Sequence, residues 1–259
     1  MATVTPSAAA RRPRAYVRVR GQDAVDFLNR MLSNDVPADG SVDALLLTAK
    51  ARVIAPLLVW RRGADDVLLL TEPELGDAVR MQLSRMRFAA KCEIELEEHA
   101  STIVLGGEEG IPNRDYGVTA VELLDAGVEA TLSDEELERL RIEAATPRFG
   151  RELDDRVLPA EAGLDERAIS FSKGCYPGQE PIARQHFRGK VNRRLRVLVL
   201  DGAAPEPETP VVHDGKEVGR VTSAVTGRAL AYVRVSVPED AVLDVAGRPA
   251  RVVSATAPS

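Results

Sequence analysis

The stretch of sequence that decides the fold is Lys173-Gly174-Cys175-Tyr176-Pro177-Gly178-Gln179-Glu180. It holds an amine, a thiol, a phenol, an amide and a carboxylate, and neither helical nor strand periodicity explains that mixture. Tyr-Pro-Gly-Gln predicts a type II turn, because proline favours the second position of such a turn and glycine the third. A turn so rich in reactive groups is typical of a surface that meets a ligand or a partner. The alternative is a surface loop whose thiol is incidental, and the residues alone leave both interpretations open.

The same eight residues resemble the signature Lys-Gly-Cys-Tyr-x-Gly-Gln-Glu of the YgfZ-type folate-binding proteins. These proteins are relatives of the aminomethyltransferase, or T protein, of the glycine cleavage system. The resemblance implies an α+β, aminomethyltransferase-like fold of three lobes, with two α/β lobes and a small C-terminal β-barrel. It covers most of the chain from Tyr16 onward. The other matching segments are Ala183-Arg184, Arg141-Ile142-Glu143, Pro147-Arg148-Phe149-Gly150, Pro159-x-Glu161 and Gly219-x-Val221-Thr222-Ser223.

Composition places the chain among soluble globular proteins. Its 259 residues are 44% apolar and 29% charged, which is ordinary for such proteins, and a chain of this length suggests two domains of about 150 residues. The net charge of −6 gives no global reason to expect nucleic acid. No apolar run reaches the ~20 residues of a membrane helix. The two cysteines, Cys92 and Cys175, do not make a disulfide framework. We therefore expect a cytoplasmic protein without a membrane partner.

Three regions are predicted along the chain. Residues 1–14 are rich in arginine, carry no acid and lack the apolar core of a secretory signal, so they are predicted to be a disordered tail rather than a short transit remnant. Residues 15–192 alternate strand and helix patterns and are predicted to form the folate-binding α+β region of two intertwined lobes. Helix patterns vanish in residues 193–259, where several short strands and the hairpin signal Asp214-Gly215 predict the β-barrel.

Individual elements follow from periodicity and caps. Asp23 is predicted to cap one amphipathic helix, a second helix is expected from Glu74 to about Phe88, and the Ser133–Glu136 capping box opens a third through Ala145. Val53–Trp60 reads as a strand whose internal proline, Pro56, indicates an edge or a bulge. Cys92 alternates with apolar residues and is predicted to be a core position.

Cys175 is the candidate functional thiol. An unperturbed thiol is only a few per cent thiolate at neutral pH, but Lys173 and an acid-free basic run from Arg184 to Arg196 favour the thiolate. His186 is the nearest base in sequence, and we expect it to be incidental rather than half of a catalytic dyad. Neither an iron–sulfur cluster nor zinc finds enough ligands with suitable spacing, so no metal site is predicted.

The resemblance also implies where tetrahydrofolate or another folate derivative binds. Glu143 is the carboxylate it nominates for the pterin, while Arg141, Lys173 and Arg184 would serve the anionic tail or orient the loop. Three residues complete the implied folate-binding set: Tyr176, Gln179 and Glu180. We expect the loop and the Arg-Ile-Glu helix end to converge on one cavity. On the residues alone, Arg141 and Glu143 fit an exposed helix face equally well.

A missing acid argues against classical aminomethyl transfer. The resemblance implies a carboxylate on a strand in the region of Lys50–Pro56, yet no Asp or Glu occurs from Ala44 to Ala64, and Pro56 stands where the acid is sought. The leading hypothesis is therefore a folate-binding accessory protein that supports iron–sulfur cluster assembly or repair, with iron–sulfur proteins or their assembly factors as partners. The first alternative is a tetrahydrofolate-dependent aminomethyltransferase or demethylase in which Glu161 or Asp165 replaces the missing acid. The second is an RNA-binding or tRNA-modification helper, which rests on the basic run.

Overall fold

The structure is a computed structural model that describes residues 8–256, apart from the side chain of Arg188. Four helices and fifteen strands follow one another in it, with 3-10 turns at Pro73–Leu75 and Pro159–Ala162. The first two thirds contain β1 (Ala9–Arg11), β2 (Ala15–Arg20), α1 (Ala24–Met31), β3 (Ser41–Leu47), β4 (Val53–Gly63), β5 (Asp66–Thr71), α2 (Gly76–Met86), β6 (Glu93–Glu97), β7 (Ser101–Leu105), β8 (Ile111–Asn113), β9 (Ala120–Leu124), α3 (Asp134–Glu143) and α4 (Gln179–Arg188). The last third contains β10 (Arg193–Leu200), β11 (Pro210–His213), β12 (Lys216–Val225), β13 (Arg228–Arg234), β14 (Val242–Val245) and β15 (Arg248–Val253).

The first lobe is an antiparallel sheet of five strands in the order β3-β4-β5-β2-β6, packed against α1 and α2. The apolar stripes predicted for both helices face this core, and Cys92 is buried there as predicted. Asp23 does not cap α1 through its side chain; its carboxylate instead accepts from the backbone N–H of Lys91 at 2.8 Å. The second helix stops before Phe88, because the φ of +44° at that residue is incompatible with a helix.

Of the two features expected at Pro56, the edge is wrong, but a bulge is present close by: the β3–β4 register shifts between the pairs formed by Ala55 and Val53. Strand β4 lies between β3 and β5 in the sheet. Pro56 is paired with Leu45 of β3, whereas pairing with β5 begins only at Leu58, so the missing N–H falls outside the β5 ladder. The carbonyl of Pro56 accepts from the hydroxyl of Thr71 at 2.7 Å. An interior strand therefore tolerates a proline where its second neighbour has ended.

The second lobe is a sheet in the order β1-β7-β9-β8. Its edge strand β1 corrects the prediction of a tail over residues 1–14, because Ala9 and Ala10 are buried and pair with β7. The arginine-rich composition predicted disorder, but the segment forms a strand because it pairs with β7, nearly a hundred residues away in the sequence. Residues 1–7 of the predicted tail lie outside the described residues.

The C-terminal third closes into a six-stranded antiparallel barrel in the order β10-β13-β12-β11-β14-β15. Asp214 and Gly215 form the expected two-residue hairpin, with φ values of +50° and +72°. Helix α3 opens with the predicted capping box and packs Ile142 against barrel residues. The predicted α+β architecture with a C-terminal barrel is thus confirmed. No helix within residues 8–256 has both the length and the apolar character needed to cross a membrane.

Gly219 gives a test of the barrel packing. A Cβ placed on this β12 residue would overlap the carbonyl oxygen of Tyr232 on β13. Because backbone atoms cannot move aside cheaply, we expect Gly219→Ala to lower the free energy of unfolding by about 1–3 kcal/mol. Urea titration followed by circular dichroism measures this. Gly63→Ala is the matched control, since its nearest atom would be 3.8 Å away; equal stability of the two variants would contradict the close approach.

Candidate functional site

The loop of residues 173–180 forms the predicted type II turn. Gly178 has φ +85° and ψ 0°, and the N–H of Gln179 donates to the carbonyl of Tyr176 at 3.2 Å. A Cβ on Gly178 would meet the carbonyl oxygen of Thr48 at 2.7 Å and the Cα of Ala51 at 3.0 Å. Glycine therefore allows the loop to lie directly on the turn between β3 and β4.

Lys173 holds the loop to the first lobe. Its buried ammonium donates to the carbonyls of Leu32 and Asn34 at 3.0 and 2.6 Å and lies 3.7 Å from the carboxylate of Asp35. Burial lowers the pKa of Lys173. Of the two roles expected for this lysine, these contacts fit orientation of the loop, because the ammonium faces the protein's own oxygens; a role toward the folate tail stays a prediction.

Tyr176 belongs to the core rather than to an open binding surface. Its ring is 7% exposed and packs among residues that include Leu45, Leu47 and Ala51. Burial raises the pKa of Tyr176 to about 12. Within the described residues the hydroxyl has no hydrogen-bond partner. Tyr176 thus fixes the loop by packing in the core, and Lys173 fixes it by hydrogen bonds to the first lobe.

Four residues of the predicted set remain at or near the surface of this loop and of α4. Cys175, Glu180 and Arg184 are exposed, and Gln179 is half-buried at the first position of the helix. The predicted thiol therefore meets solvent on a loop that is fixed at both ends. The roles assigned to these four side chains stay predictions.

Arg141 and Glu143 are both engaged by charges of the protein itself. The guanidinium of Arg141 is buried between Glu138 at 2.7 Å and Glu152 at 3.0 Å. The carboxylate of Glu143 lies 3.2 Å from Arg228 of the barrel and so joins α3 to the barrel. The expected convergence of these two residues with the loop on one cavity stays a prediction.

A different set of residues lines a central cavity between the two lobes. The cavity is a narrow slot with a volume of about 50 Å³. Together with the open space at its mouth it measures about 470 Å³. Apolar side chains form most of its walls, and five charged ones complete it. The charged residues are Arg14, Asp43, Glu72, Asp115 and Arg167.

Four of these charges form an alternating chain with Glu122. Arg14 bonds Glu122 at 3.0 Å and lies 3.4 Å from Asp115; Arg167 bonds Asp115 at 2.6 Å and Asp43 at 3.0 Å. Burial disfavours the charge of both aspartates, but the two arginines near Asp115 hold its pKa well below the ordinary value. Burial outweighs the single arginine at Asp43 and raises the pKa of that carboxyl. Asp43 is therefore the less compensated of the two carboxylates in the slot.

Pro56, which stands where an acid was sought, lines the slot. Neither Glu161 nor Asp165, the predicted replacements, lines the slot; Glu161 accepts from the N–H of Leu158 and pairs with Arg193. Asp43 occupies the slot instead and was missed. In the sequence, Asp43 is the one carboxylate of the strand Ser41–Leu47. It was not predicted because it lies just before the acid-free stretch from Ala44 to Ala64.

A second depression adjoins the slot and shares Pro147, Leu164 and Arg167 with it. Its wall on the barrel side carries Arg194 and Arg196 of β10. Leaving out Arg167, which lines both, the charged residues of the slot sum to −2, from Asp43, Glu72 and Asp115 against Arg14. Those of the depression sum to +1, from Arg194 and Arg196 against Glu161. The joined cavities thus have an acidic end and a basic end.

Among residues 8–256, no group of three or more His, Cys, Asp or Glu side chains is placed to hold a metal ion.

Comparison with known proteins places this fold. The crystal structure of the glycine cleavage system aminomethyltransferase T from Bartonella henselae superposes with a TM-score of 0.81 at 18% identity, covering 93% of this chain and 83% of that one. The chain therefore has the aminomethyltransferase fold. The aminomethyltransferase of Moorella thermoacetica is 26% identical over 261 residues, which cover 80% of this chain and 71% of the relative.

Two further findings refine the relationship. A protein of Haemophilus influenzae described as uncharacterized is 24% identical over 242 residues, 86% of either chain. Residues 192–258 match the family described as CAF17, C-terminal beta-barrel domain. The resemblance carried by the loop motif is thereby confirmed: the chain is a relative of the aminomethyltransferases with a barrel of the CAF17 and YgfZ type.

The alternating chain of charges predicts that Asp115→Asn lowers the free energy of unfolding by an amount that depends on pH. The pKa of Asp115 is depressed in the folded protein, so its stabilising contribution is complete above the unfolded pKa of about 4 and fades as the pH falls below it. We expect the variant to lose about 3 kcal/mol of unfolding free energy at pH 7, because Arg14 and Arg167 lose their shared partner. The deficit should shrink at pH 3.

Urea titrations at both pH values measure that difference. Asp155→Asn, at a side chain 86% exposed, is the control and should leave stability unchanged. A deficit that is the same at pH 3 and pH 7 would show that the network does not depend on the charge of Asp115.

Proposed function

We propose that this protein binds a folate across the joined cavities, with the pterin in the slot and the glutamate tail in the basic depression. The observation that carries the proposal is the division of charge between them, −2 against +1 when the shared Arg167 is left out. A folate is matched to such a site, because its pterin donates hydrogen bonds from one flat edge and its tail is anionic. The aminomethyltransferase fold and the name of the Moorella thermoacetica relative support the same ligand class.

Asp43 is the group we assign to the pterin edge. It lines the slot, and only one of its oxygens, Oδ2, is engaged with Arg167. Because the carboxylate is incompletely compensated, donors from a ligand would stabilise its charge. The narrowness of the slot favours a flat ring, and the apolar walls, which include Pro56 and Leu57, would contact its faces.

Arg194 is the group we assign to the tail. It is exposed on β10 and has no ion-pair partner among the described residues, whereas Arg196 lies 3.2 Å from Glu239. A solvent-facing guanidinium attracts a carboxylate mostly through long-range electrostatics, which salt screens. The tail contact should therefore depend on ionic strength and the pterin contact should not.

Titration with 5-formyltetrahydrofolate, followed by calorimetry, tests both assignments. Asp43→Asn should weaken binding at least about tenfold, since hydrogen bonds to a charged acceptor contribute about 1.5–3 kcal/mol. Arg194→Glu should weaken it about fivefold at low salt and less at high salt. Arg251→Glu, at the other end of the β10–β15 ladder, is the matched control and should bind like wild type.

Two outcomes would count against the folate site. Absence of binding to wild-type protein would remove the ligand class. Binding that neither Asp43→Asn nor Arg194→Glu weakens would place the folate elsewhere, provided that urea titration shows both variants to be folded.

We further propose that Cys175 acts in support of iron–sulfur cluster assembly or repair in partner proteins. The thiol is exposed, while Lys173 and Tyr176 fix the loop that carries it. Such a thiol is suited to transient exchange with a partner rather than to packing.

Genetic rescue tests the thiol. In a strain that lacks its own protein of this type, wild-type chain should restore the activity of a [4Fe–4S] dehydratase, and Cys175→Ser should leave it near the level of the empty strain. Cys92→Ala is the control, because that cysteine is buried and should be dispensable once folding is verified. Equal rescue by wild type and Cys175→Ser would remove the thiol from the mechanism.

A tetrahydrofolate-dependent transferase or demethylase is the second candidate. The observation that favours it is Asp43, a slot carboxyl whose pKa is raised by burial. A carboxyl poised in this way suits general acid–base work. Turnover of an aminomethyl or methylamine donor with tetrahydrofolate, lost in Asp43→Asn, would support an enzyme; no turnover across such donors would leave the binding function alone.

A further inference from the structure

Residues just before and just after the loop form a surface of aromatic and basic side chains. None of the sites above uses this surface. We name it the α4 surface and define it by Phe171, Arg184, His186, Phe187 and Lys190. Phe187 is 72% exposed. The ring of His186 stacks on that of Phe171 with centroids 3.9 Å apart and an interplanar angle of 24°, and Phe187 meets His186 edge-on at 5.0 Å. Three rings therefore form one patch.

The inner side of α4 explains why this patch is held outward. Ile182 is buried and packs with Tyr176 in the same core cluster, and Phe171 packs against that cluster at its edge. The helix is thus seated on the first lobe through one face. His186 is held by the Phe171 stack, so the last turn presents Phe187 to solvent. An exposed phenylalanine beside arginine is typical of a binding hot spot.

Charge identifies what this surface can attract. From Ile182 to Leu200 the sequence has six basic residues and no acid. Within the described residues, neither Arg184 nor Lys190 has an ion-pair partner. The chain as a whole carries −6, so this surface opposes the sign of the rest of the molecule. Local positive charge of this kind steers an anionic partner to one orientation.

We propose that the α4 surface is the docking site for an acidic, aromatic-bearing segment of the partner protein whose disulfide exchanges with Cys175, one partner sulfur bonding to Cys175 and the other leaving as a thiolate. This inference rests on the proposed thiol function and adds the chemistry by which the partner is chosen. A protein segment fits better than single-stranded RNA, because the face of Phe171 is already covered by His186 and one ring alone, Phe187, is free to stack on a base. The exposed Phe187 instead suits an aromatic or aliphatic anchor.

Disulfide exchange gives a sensitive test without a known partner. The probes are short peptides with one cysteine held as a mixed disulfide with thionitrobenzoate, flanked by glutamates or by lysines, with or without a phenylalanine. The Cys175 thiolate attacks the peptide sulfur, a new protein–peptide disulfide forms, and the electron pair leaves on thionitrobenzoate, whose absorbance is followed. The thiol proton goes to the buffer. Cys175→Ser protein supplies the background rate.

The acidic, phenylalanine-bearing peptide should react about tenfold faster than its lysine counterpart at low salt, and the difference should largely disappear at about 0.5 M salt. Arg184→Glu should abolish the preference, and Phe187→Ala should remove the advantage of phenylalanine. Arg85→Glu and Phe88→Ala are the matched controls, since both residues are exposed on α2 or just beyond it. Neither control should alter the rates.

Three outcomes would overturn the proposal. Equal rates for acidic and basic peptides, or a preference that survives Arg184→Glu, would show that the α4 surface does not select the partner, while the thiol function stands. A Cys175 that reacts with no peptide would remove the thiol function and the docking proposal together. Tight binding of oligouridylate that Phe187→Ala abolishes, without any peptide preference, would assign the surface to RNA.

Discussion

The arrangement of the whole molecule depends on the buried chain of charges from Glu122 through Arg14, Asp115 and Arg167 to Asp43. Each member comes from a different part of the sequence, and their alternation lets every charge be paired in a region that water hardly reaches. Glu122 belongs to the second sheet, Asp43 to the first, and Arg167 to the segment that leads into the loop. This chain of charges therefore holds the two lobes together. It also positions the segment that leads to residues 173–180. It also makes the polar wall of the central slot, so the structure that joins the lobes and the candidate binding site are the same residues.

Strand β3 connects that slot to the thiol loop. Asp43 lies at the slot, and two and four residues further along the same strand Leu45 and Leu47 pack with Tyr176 beneath the loop. The loop is also tied to this lobe by Lys173, whose partners are the carbonyls of Leu32 and Asn34. The slot and the support of the loop are therefore built on one strand.

Local features of the fold were predictable from the sequence, and long-range ones were not. The turn at Pro177-Gly178, the Ser133 capping box and the Asp214-Gly215 hairpin each depend on a few neighbouring residues, and each is present. Strand β1 was missed because its stability comes from β7, far along the chain. For Lys173 the tail and the orientation of the loop both stayed open, because nothing local reveals that its partners lie about 140 residues away. Asp43 and Arg167, 124 positions apart, meet only in the folded molecule, so the slot they line had no sequence signature.

The position of Pro56 shows how binding and chemistry can separate in this fold. Pro56 lines the slot without offering a proton donor or acceptor from its side chain, whereas Asp43 and Asp115 keep the slot acidic from other walls. A flat ligand edge can be held by such carboxylates, because hydrogen bonding at an edge needs only a charged acceptor at the right depth. Catalysis needs more, since a group must also stand within hydrogen-bond reach of the reacting atoms. The slot therefore combines carboxylates that can hold a ligand edge with a wall at Pro56 that supplies no group for proton transfer.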